Sequence, residues 1–221
     1  YMRSPIILSS LGVLLMLFGY SYGQQEGLVI SLDPSYWSER EFKGNTDYQL
    51  GKEGDDMALF AEANGTASAL YREISVDLNE FPILNWSWRV DSLDFFTPTD
   101  IDETGKAGDD FAARLYVVRR GGIKFWQARS INYVFSRSQD VDRRWYNPYS
   151  NGNQVMWVVS RGVSDDWDSH SRNIREDWKI AFDEDISSID GIALMTDSDN
   201  TGLVARAGFR DIGFQGRRKK P

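Results

Sequence analysis

Three observations predict an all-β fold, a jelly-roll-like antiparallel β-sandwich of about nine strands with one short helix. Apolar and polar residues alternate with period two in many short segments, turn-forming residues separate those segments, and only one segment has helical spacing. Two antiparallel sheets packed face to face would bury one side of each strand. An up-and-down barrel is the alternative, but the long irregular connections at 95–108 and 139–153 favour the sandwich.

Nine segments carry the strand signal, and one carries the helix signal. The predicted strands are 28–32, 57–63, 68–76, 83–90, 110–118, 130–135, 154–159, 191–196 and 203–214. Turn residues such as Asn64 and Gly65 separate them. A helix is predicted over 172–182 because Ile174, Trp178 and Phe182 recur at helical spacing.

The predicted organisation is one folded domain between two short terminal segments. Residues 1–23 have the pattern of a signal peptide, with Arg3, a short apolar run and then small residues. Residues 24–214 form the β-sandwich, and 215–221 form a basic, disordered tail. The apolar run is shorter than the roughly 20 residues that a membrane-spanning helix needs. We therefore expect an exported protein, periplasmic or extracellular, with no transmembrane span after signal cleavage.

Composition excludes several classes of function. With 25 basic and 33 acidic side chains the net charge is -8, which disfavours a nucleic-acid partner. The absence of cysteine excludes disulfides, thiol nucleophiles and thiolate zinc sites. His170 is the single histidine, and neither a Gly-x-Ser-x-Gly elbow nor a glycine-rich phosphate loop occurs, so neither a serine-histidine hydrolase nor a nucleotide cofactor is expected. The oligomeric state stays open.

Alternation within three strands assigns residues to faces. Leu84, Trp86, Trp88 and Val90 fall on one side of 83–90 and are predicted to lie in the core. If 83–90, 110–118 and 203–214 are neighbours, one polar face carries Arg89, Asp110, Arg114, Tyr116 and Arg206. Arginines and carboxylates can hydrogen-bond sugar hydroxyls while aromatic rings stack on sugar faces. The alternative is a solvated face on which charges pair across strands.

The aromatic side chains are numerous and offer a second binding feature. Aromatic residues make up 14% of the chain, including 8 tryptophans. Trp145, Tyr146 and Tyr149 lie in a predicted loop, where they would form a stacking platform for a ligand. The alternative is that the loop tucks these rings over the edge of the core.

An acidic loop follows the predicted strand 191–196. Asp197 and Asp199 stand at the first and third positions of a calcium-loop pattern, but its twelfth position is Gly208 rather than a glutamate, which excludes an EF-hand. A different Ca²⁺ site that uses Asp197 and Asp199, together with Asp109 or Asp110, is one interpretation. The other is a tight turn capped by side-chain hydrogen bonds. No other cofactor is expected.

Four motifs in order resemble a known family. PILNWSWRVD at 82–91, KAGDDFAARLYVV at 106–118, NPY at 147–149 and DGIALMTDSDNTG at 190–202 resemble exported bacterial proteins of the domain of unknown function 3047 family. The resemblance implies a jelly-roll sandwich similar in outline to carbohydrate-binding modules and galactose-binding-like domains. It implies no catalytic role. Its polar motif positions are Arg89, Asp109, Asp110, Arg114, Asn147, Asp197, Asp199, Asn200 and Thr201.

Three functions are compatible with these features. The leading hypothesis is an exported, non-catalytic β-sandwich that binds a carbohydrate or other cell-envelope polymer. Its predicted ligand-binding residues are Arg89, Asp110, Arg114, Tyr116, Trp145, Tyr146, Tyr149 and Arg206. The second is a polysaccharide or cell-wall hydrolase that uses Asp110 and Asp197 as a carboxylate pair. The third is an envelope scaffold that binds another protein.

Overall fold

The computed structural model describes residues 27–91, 101–120, 128–162 and 164–216. The predicted signal peptide lies outside the described residues, and so do the last five residues of the predicted basic tail.

Within these ranges thirteen strands form two sheets. The strands are β1 Gly27–Val29, β2 Ser38–Lys43, β3 Asp47–Glu53, β4 Asp56–Asn64, β5 Ala67–Asp77, β6 Ile83–Val90, β7 Arg114–Arg119, β8 Arg129–Ser136, β9 Arg144–Tyr146, β10 Gln154–Arg161, β11 Ser164–Asn173, β12 Ser188–Asp197 and β13 Val204–Gln215. The six-stranded sheet has the order β11-β6-β13-β4-β3, with β1 paired to β13. The seven-stranded sheet has the order β2-β5-β12-β7-β8-β10-β9.

The predicted fold class is confirmed. The chain is a jelly-roll-like β-sandwich whose described strand pairs are all antiparallel except β8 with β10. All nine predicted strands are present, although the segment 110–118 becomes a strand only at Arg114. Four further strands, β2, β3, β9 and β11, lack a clear alternating signal. All four lie at sheet edges, where burial imposes little pattern on the sequence.

The core lies between the two sheets. The four side chains predicted to face it from β6 are buried, with Trp88 and Leu84 0% exposed. From the seven-stranded sheet, Leu115 and Val117 of β7 enter the same cluster. Neighbours of Leu115 and Val117 along β7 therefore point away from the core, which places them on the outer face of that sheet.

The single described helix, α1 Ile174–Phe182, closes one end of the sandwich. It begins two residues later than predicted because Arg172 and Asn173 still belong to β11. The Asn173 side chain caps the helix by accepting a hydrogen bond from the Glu176 backbone N–H. Trp178 anchors the helix in the core. No helix of the described part of the chain is long and apolar enough to cross a membrane.

His170 lies on the inner side of the edge strand β11. Its ring packs against Trp86 and Trp88, with centroid distances of 4.9 and 5.2 Å. Nε2 lies 2.9 Å from Ser160 Oγ and 3.2 Å from Asp168 Oδ2. Because serine and carboxylate meet the same ring nitrogen, this is not the arrangement of a catalytic triad, in which they use opposite nitrogens.

We expect the variant His170→Gln to have a flatter dependence of melting temperature on pH between 7 and 5 than the wild type. Burial lowers the pKa of His170 in the folded protein, and Asp168 only partly opposes this. Its stabilising contribution is therefore present above the unfolded pKa of about 6.5 and is lost as pH falls from there through the lower folded pKa. Thermal melts at several pH values measure this, and equal slopes for the two proteins would contradict it.

Candidate functional site

The outer face of the six-stranded sheet is covered by paired charges. Arg89 forms ion pairs with Glu53 and Asp91, and Arg206 forms one with Glu62 across the neighbouring strand. Exposed pairs of this kind contribute little to stability, and their groups are already engaged. On this face the interpretation of a solvated surface with cross-strand pairs fits better than a ligand site.

The predicted polar face is wrong as a set. β6 and β13 are neighbours, so Arg89 and Arg206 do share a face, but β7 belongs to the other sheet and takes Arg114 and Tyr116 with it. Asp110 precedes β7 and lies at one end of that sheet. The physical reason is that period-two alternation assigns the two sides of one strand but carries no information on which sheet the strand joins.

A cavity of about 740 Å³ lies on the outer face of the seven-stranded sheet. We call it the groove. Its floor is formed by outward-facing residues of three adjacent strands, namely Ala67, Ala69 and Tyr71 of β5, Ala193, Met195 and Asp197 of β12, and Arg114, Tyr116 and Val118 of β7. The three alanines are only 3 to 6% exposed, so the floor lies deep between the larger side chains on both sides.

Two exposed aromatic side chains line the groove, one from an edge strand and one from a loop. Phe42 of the edge strand β2 is 56% exposed, and Tyr149, between β9 and β10, is also 56% exposed. Tyr149 Oη donates a hydrogen bond to the Lys106 carbonyl at 3.1 Å. Asn147 holds this loop, because its side-chain amide donates to Asp109 Oδ2 at 3.0 Å and its carbonyl Oδ1 accepts from the Tyr149 backbone N–H at 2.9 Å.

A glycine shapes one end of the floor. A Cβ atom at Gly191 would lie 2.5 Å from Tyr71 Oη, so only glycine lets the Tyr71 ring lie across β12. Tyr71 Oη in turn accepts a hydrogen bond from Arg120 Nη2 at 3.2 Å, and Arg120 forms an ion pair with Glu73. This end of the groove is therefore closed by an aromatic ring and a paired arginine.

The other end of the floor is built around the buried guanidinium of Arg114. Nη2 donates to Asp197 Oδ2 at 2.9 Å and to the Asp109 carbonyl at 3.0 Å, and Nη1 donates to Tyr116 Oη at 3.1 Å. Burial alone would lower the pKa of Arg114, but the adjacent Asp197 carboxylate raises it above its ordinary value. Burial raises the pKa of Tyr116 to about 12. Arg114 therefore stays charged and Tyr116 neutral at physiological pH.

Four carboxyl groups gather at this end, from Asp109, Asp110, Asp197 and Asp199. One oxygen from each of the last three lies within 4.8 Å of the others. Burial raises the pKa of Asp197 well above its ordinary value, the Arg114 guanidinium opposes this rise, and the nearby Asp110 and Asp109 add to it. The pKa values of Asp109 and Asp199 are also raised, first by burial and then by neighbouring carboxylates. Negative charge is therefore incompletely balanced at this end.

The predicted calcium ligands Asp197 and Asp199 do lie together, but most of the cluster is already hydrogen-bonded. Both Asp197 oxygens accept from Arg114. Asp110 accepts from the backbone N–H groups of Asn200 and Thr201 at 3.2 and 2.6 Å. These bonds are those expected of a loop capped by side chains. The calcium site stays a prediction.

The predicted three-ring platform is wrong as a set. Trp145 lies in β9 and is half-buried against Phe111, with a centroid distance of 6.3 Å. Tyr146, 58% exposed, pairs with Val155 of β10 and does not line the groove. Because β9 is a strand, its successive side chains point to opposite sides. Of the three predicted rings, Tyr149 alone lines the groove.

Sequence reasoning missed several groove residues. Arg40 and Phe42 lie on β2, whose six residues are all exposed and give no alternation. A signal for the floor was available, however. Ala67 and Ala69 of β5 are small residues at alternate positions, so they could have been recognised as one side of that strand, although both are as buried as their neighbours.

The fold and site define a class of protein, a β-sandwich with a groove across one outer face. The family model for proteins of unknown function named DUF3047 matches residues 35–213. The chain belongs to this family. None of the curated proteins searched matches it.

Solved structures with a similar arrangement are carbohydrate-binding modules and glycoside hydrolases at low identity. The family 30 carbohydrate-binding module of a cellulosomal cellulase of Clostridium thermocellum is 12% identical, with a TM-score of 0.49 over 88% of this chain and 95% of that one. Endoglucanase cel12A from Rhodothermus marinus is 11% identical, with a TM-score of 0.45 over 82% of this chain and 97% of that one. The xyloglucanase domain of NopAA from Sinorhizobium fredii is 8% identical, with a TM-score of 0.44 over 82% and 93%.

We expect Asp199→Asn to raise the melting temperature at pH 8. The folded pKa of Asp199 is raised by burial and by Asp110, so its ionisation opposes folding above that pKa. The gain should shrink as pH falls through the folded pKa and should vanish below the unfolded pKa of about 4, where the wild-type carboxyl is protonated in both states.

Asp185→Asn is the matched control for this measurement. A hydrogen bond from Arg175 lowers the pKa of Asp185, so its charge favours folding at neutral pH. This variant should be no more stable than the wild type. A loss of stability in Asp199→Asn at pH 8 would contradict the prediction, because it would show that nearby positive charge already compensates the Asp199 carboxylate.

Proposed function

We propose that this chain, exported as residues 1–23 predict, binds a carbohydrate chain or similar envelope polymer in the groove. The observation that carries the proposal is the groove itself, an open cavity of about 740 Å³ whose floor has small side chains and whose walls carry Phe42 and Tyr149. The family assignment names no function, and the low structural similarity carries no weight here.

The chemistry of the lining suits a sugar. Exposed aromatic rings can stack on the apolar faces of pyranose rings, and stacking on a rigid ring loses little conformational entropy. Between the two rings the floor offers hydrogen-bonding groups held in place by other contacts. Asn200 lines the cavity with its side-chain amide held by Asp110 at 3.0 Å, and its carbonyl oxygen can accept a hydrogen bond from a ligand hydroxyl.

Binding is a better fit than hydrolysis by the predicted carboxylate pair. Asp110 is fully buried and does not line the groove, and Asp197 is 2% exposed and bonded to Arg114. A glycosidase needs two carboxyl groups that reach the scissile bond, one of them free to deliver a proton. Asp110 and Asp197 are both committed to structural hydrogen bonds, so the geometry favours a binding role.

The first experiment is a thermal-shift panel of soluble polysaccharides and cell-wall fragments against the folded protein. A ligand at 100 times its dissociation constant stabilises the folded state by roughly 2.7 kcal/mol, a shift of about 2 to 4 °C for a domain of this size. A selective shift supports a glycan-binding module. A panel with no shift, followed by recovery of one stoichiometric protein partner, would instead support the scaffold hypothesis.

We expect Tyr149→Ala to weaken binding of any polysaccharide found in this panel by about fivefold, since it removes a stacking surface worth roughly 1 kcal/mol. Tyr146→Ala is the control, because Tyr146 lies three residues away, is 58% exposed and does not line the groove. It should bind as the wild type does. Isothermal titration calorimetry measures both variants, and equal losses would place the ligand elsewhere.

A further inference from the structure

The charged groups that line the groove differ in whether they have a partner. Arg114 pairs with Asp197 and lies 3.7 Å from Asp109, Arg120 pairs with Glu73, and Asp199 lies 3.9 Å from Lys43. Arg129, at the opposite end, pairs with Glu184 through Nη1 at 3.1 Å. Each of these arginines therefore already has a carboxylate partner, whereas the acids at the Arg114 end are only partly balanced.

Arg40 is the exception among the lining arginines. Within the described residues its guanidinium has no ion pair and no hydrogen bond, and its contact is with the Phe42 ring, 5.2 Å from the centroid. Its sequence neighbour Glu39 does not neutralise it. Glu39 pairs with Leu70 in the register of the sheet, and its carboxylate accepts a hydrogen bond from Ser68 Oγ at 2.7 Å.

The register places Arg40 at the edge of the open floor. It pairs with Ala69 of β5, and Ala69 pairs with Met195 of β12, so an alanine separates the guanidinium from the middle of the groove. A sugar chain lying over the alanines would therefore pass beside Arg40. The guanidinium presents a planar set of donors that matches a carboxylate in a two-point hydrogen bond.

We propose that the groove selects glycans that carry carboxylate groups, as uronic acid residues do, and that Arg40 is the residue that reads the carboxylate. This inference rests on the proposed function and adds the class of ligand. A neutral sugar over Arg40 would remove water from a charge and supply no partner, whereas a uronate supplies one. The other lining arginines already have carboxylate partners, so the carboxylate of the ligand would pair with Arg40.

The test compares acidic polysaccharides with their own neutral esters. Three matched pairs serve, namely oligogalacturonate and its methyl ester, oligoalginate and its propylene glycol ester, and a glucuronate-containing oligosaccharide and its methyl ester, with cello-oligosaccharides as a neutral reference. Binding is measured by calorimetry for the wild type, Arg40→Gln, Arg40→Lys and Lys52→Gln. Lys52 is exposed on β3 of the other sheet, so Lys52→Gln changes the net charge equally without touching the groove.

We expect the wild type to bind at least one acid form about tenfold or more tightly than its ester. Arg40→Gln should lose that preference while it keeps the affinity for the ester, Arg40→Lys should retain part of the preference, and Lys52→Gln should behave as the wild type.

Four outcomes would overturn the inference. Equal or tighter binding of the ester in every pair, or a preference that survives in Arg40→Gln, overturns the selection of acidic glycans and leaves glycan binding in place. The same holds if only cello-oligosaccharides bind. If no sugar binds, the proposed function fails together with the inference. Circular dichroism of each variant checks the fold, and Arg40 lies on an exposed edge strand where substitution has little effect on the core.

Discussion

The groove depends on one buried interaction, the ion pair between Arg114 and Asp197. Arg114 belongs to β7 and Asp197 ends β12, and the same guanidinium also bonds the main chain at Asp109, so one side chain joins three segments. Removing one partner of a buried ion pair leaves an uncompensated charge, which costs about 3 to 5 kcal/mol. The acidic end of the groove can therefore exist only with both partners in place, and the nearby carboxylates of Asp109 and Asp199 add charge that this pair does not balance.

The two outer faces of the sandwich differ in the size of their outward-facing side chains. On the six-stranded sheet, large charged side chains such as Arg89 and Arg206 lie beside opposite charges and fill the surface. On the seven-stranded sheet, Ala69 and Ala193 take the corresponding outward positions and lie deep in the groove. A face with paired charges has satisfied its own groups, whereas a deep floor beside exposed aromatic rings leaves apolar surface and hydrogen-bonding groups for a ligand. What distinguishes the faces is side-chain size more than charge.

The alternation of apolar and polar residues determines how much of the fold and of the groove could be predicted from sequence. Burial against the core produces the period-two pattern, so strands such as β4 and β6 were predictable, and so was the core position of Trp88. The pairing of strands was not, because it is decided by contacts distant in sequence, and Arg89 and Arg114 therefore fell on different sheets. Trp145 was misplaced for a related reason: β9 is three residues long, too short to show a period.

The residues hardest to predict are those best placed to bind. Arg40 and Phe42 lie on an edge strand in which every residue is exposed, and exposure removes the constraint that would leave a pattern. Their importance arises only from the register, which sets β2 beside the alanines of β5. Arg114 was identified from sequence because it falls on the polar side of the alternation in 110–118, but in the fold it is buried against Asp197 and turned to a structural role. Alternation against the core makes such a polar residue visible in sequence, yet it does not tell whether the residue is free to bind a polymer.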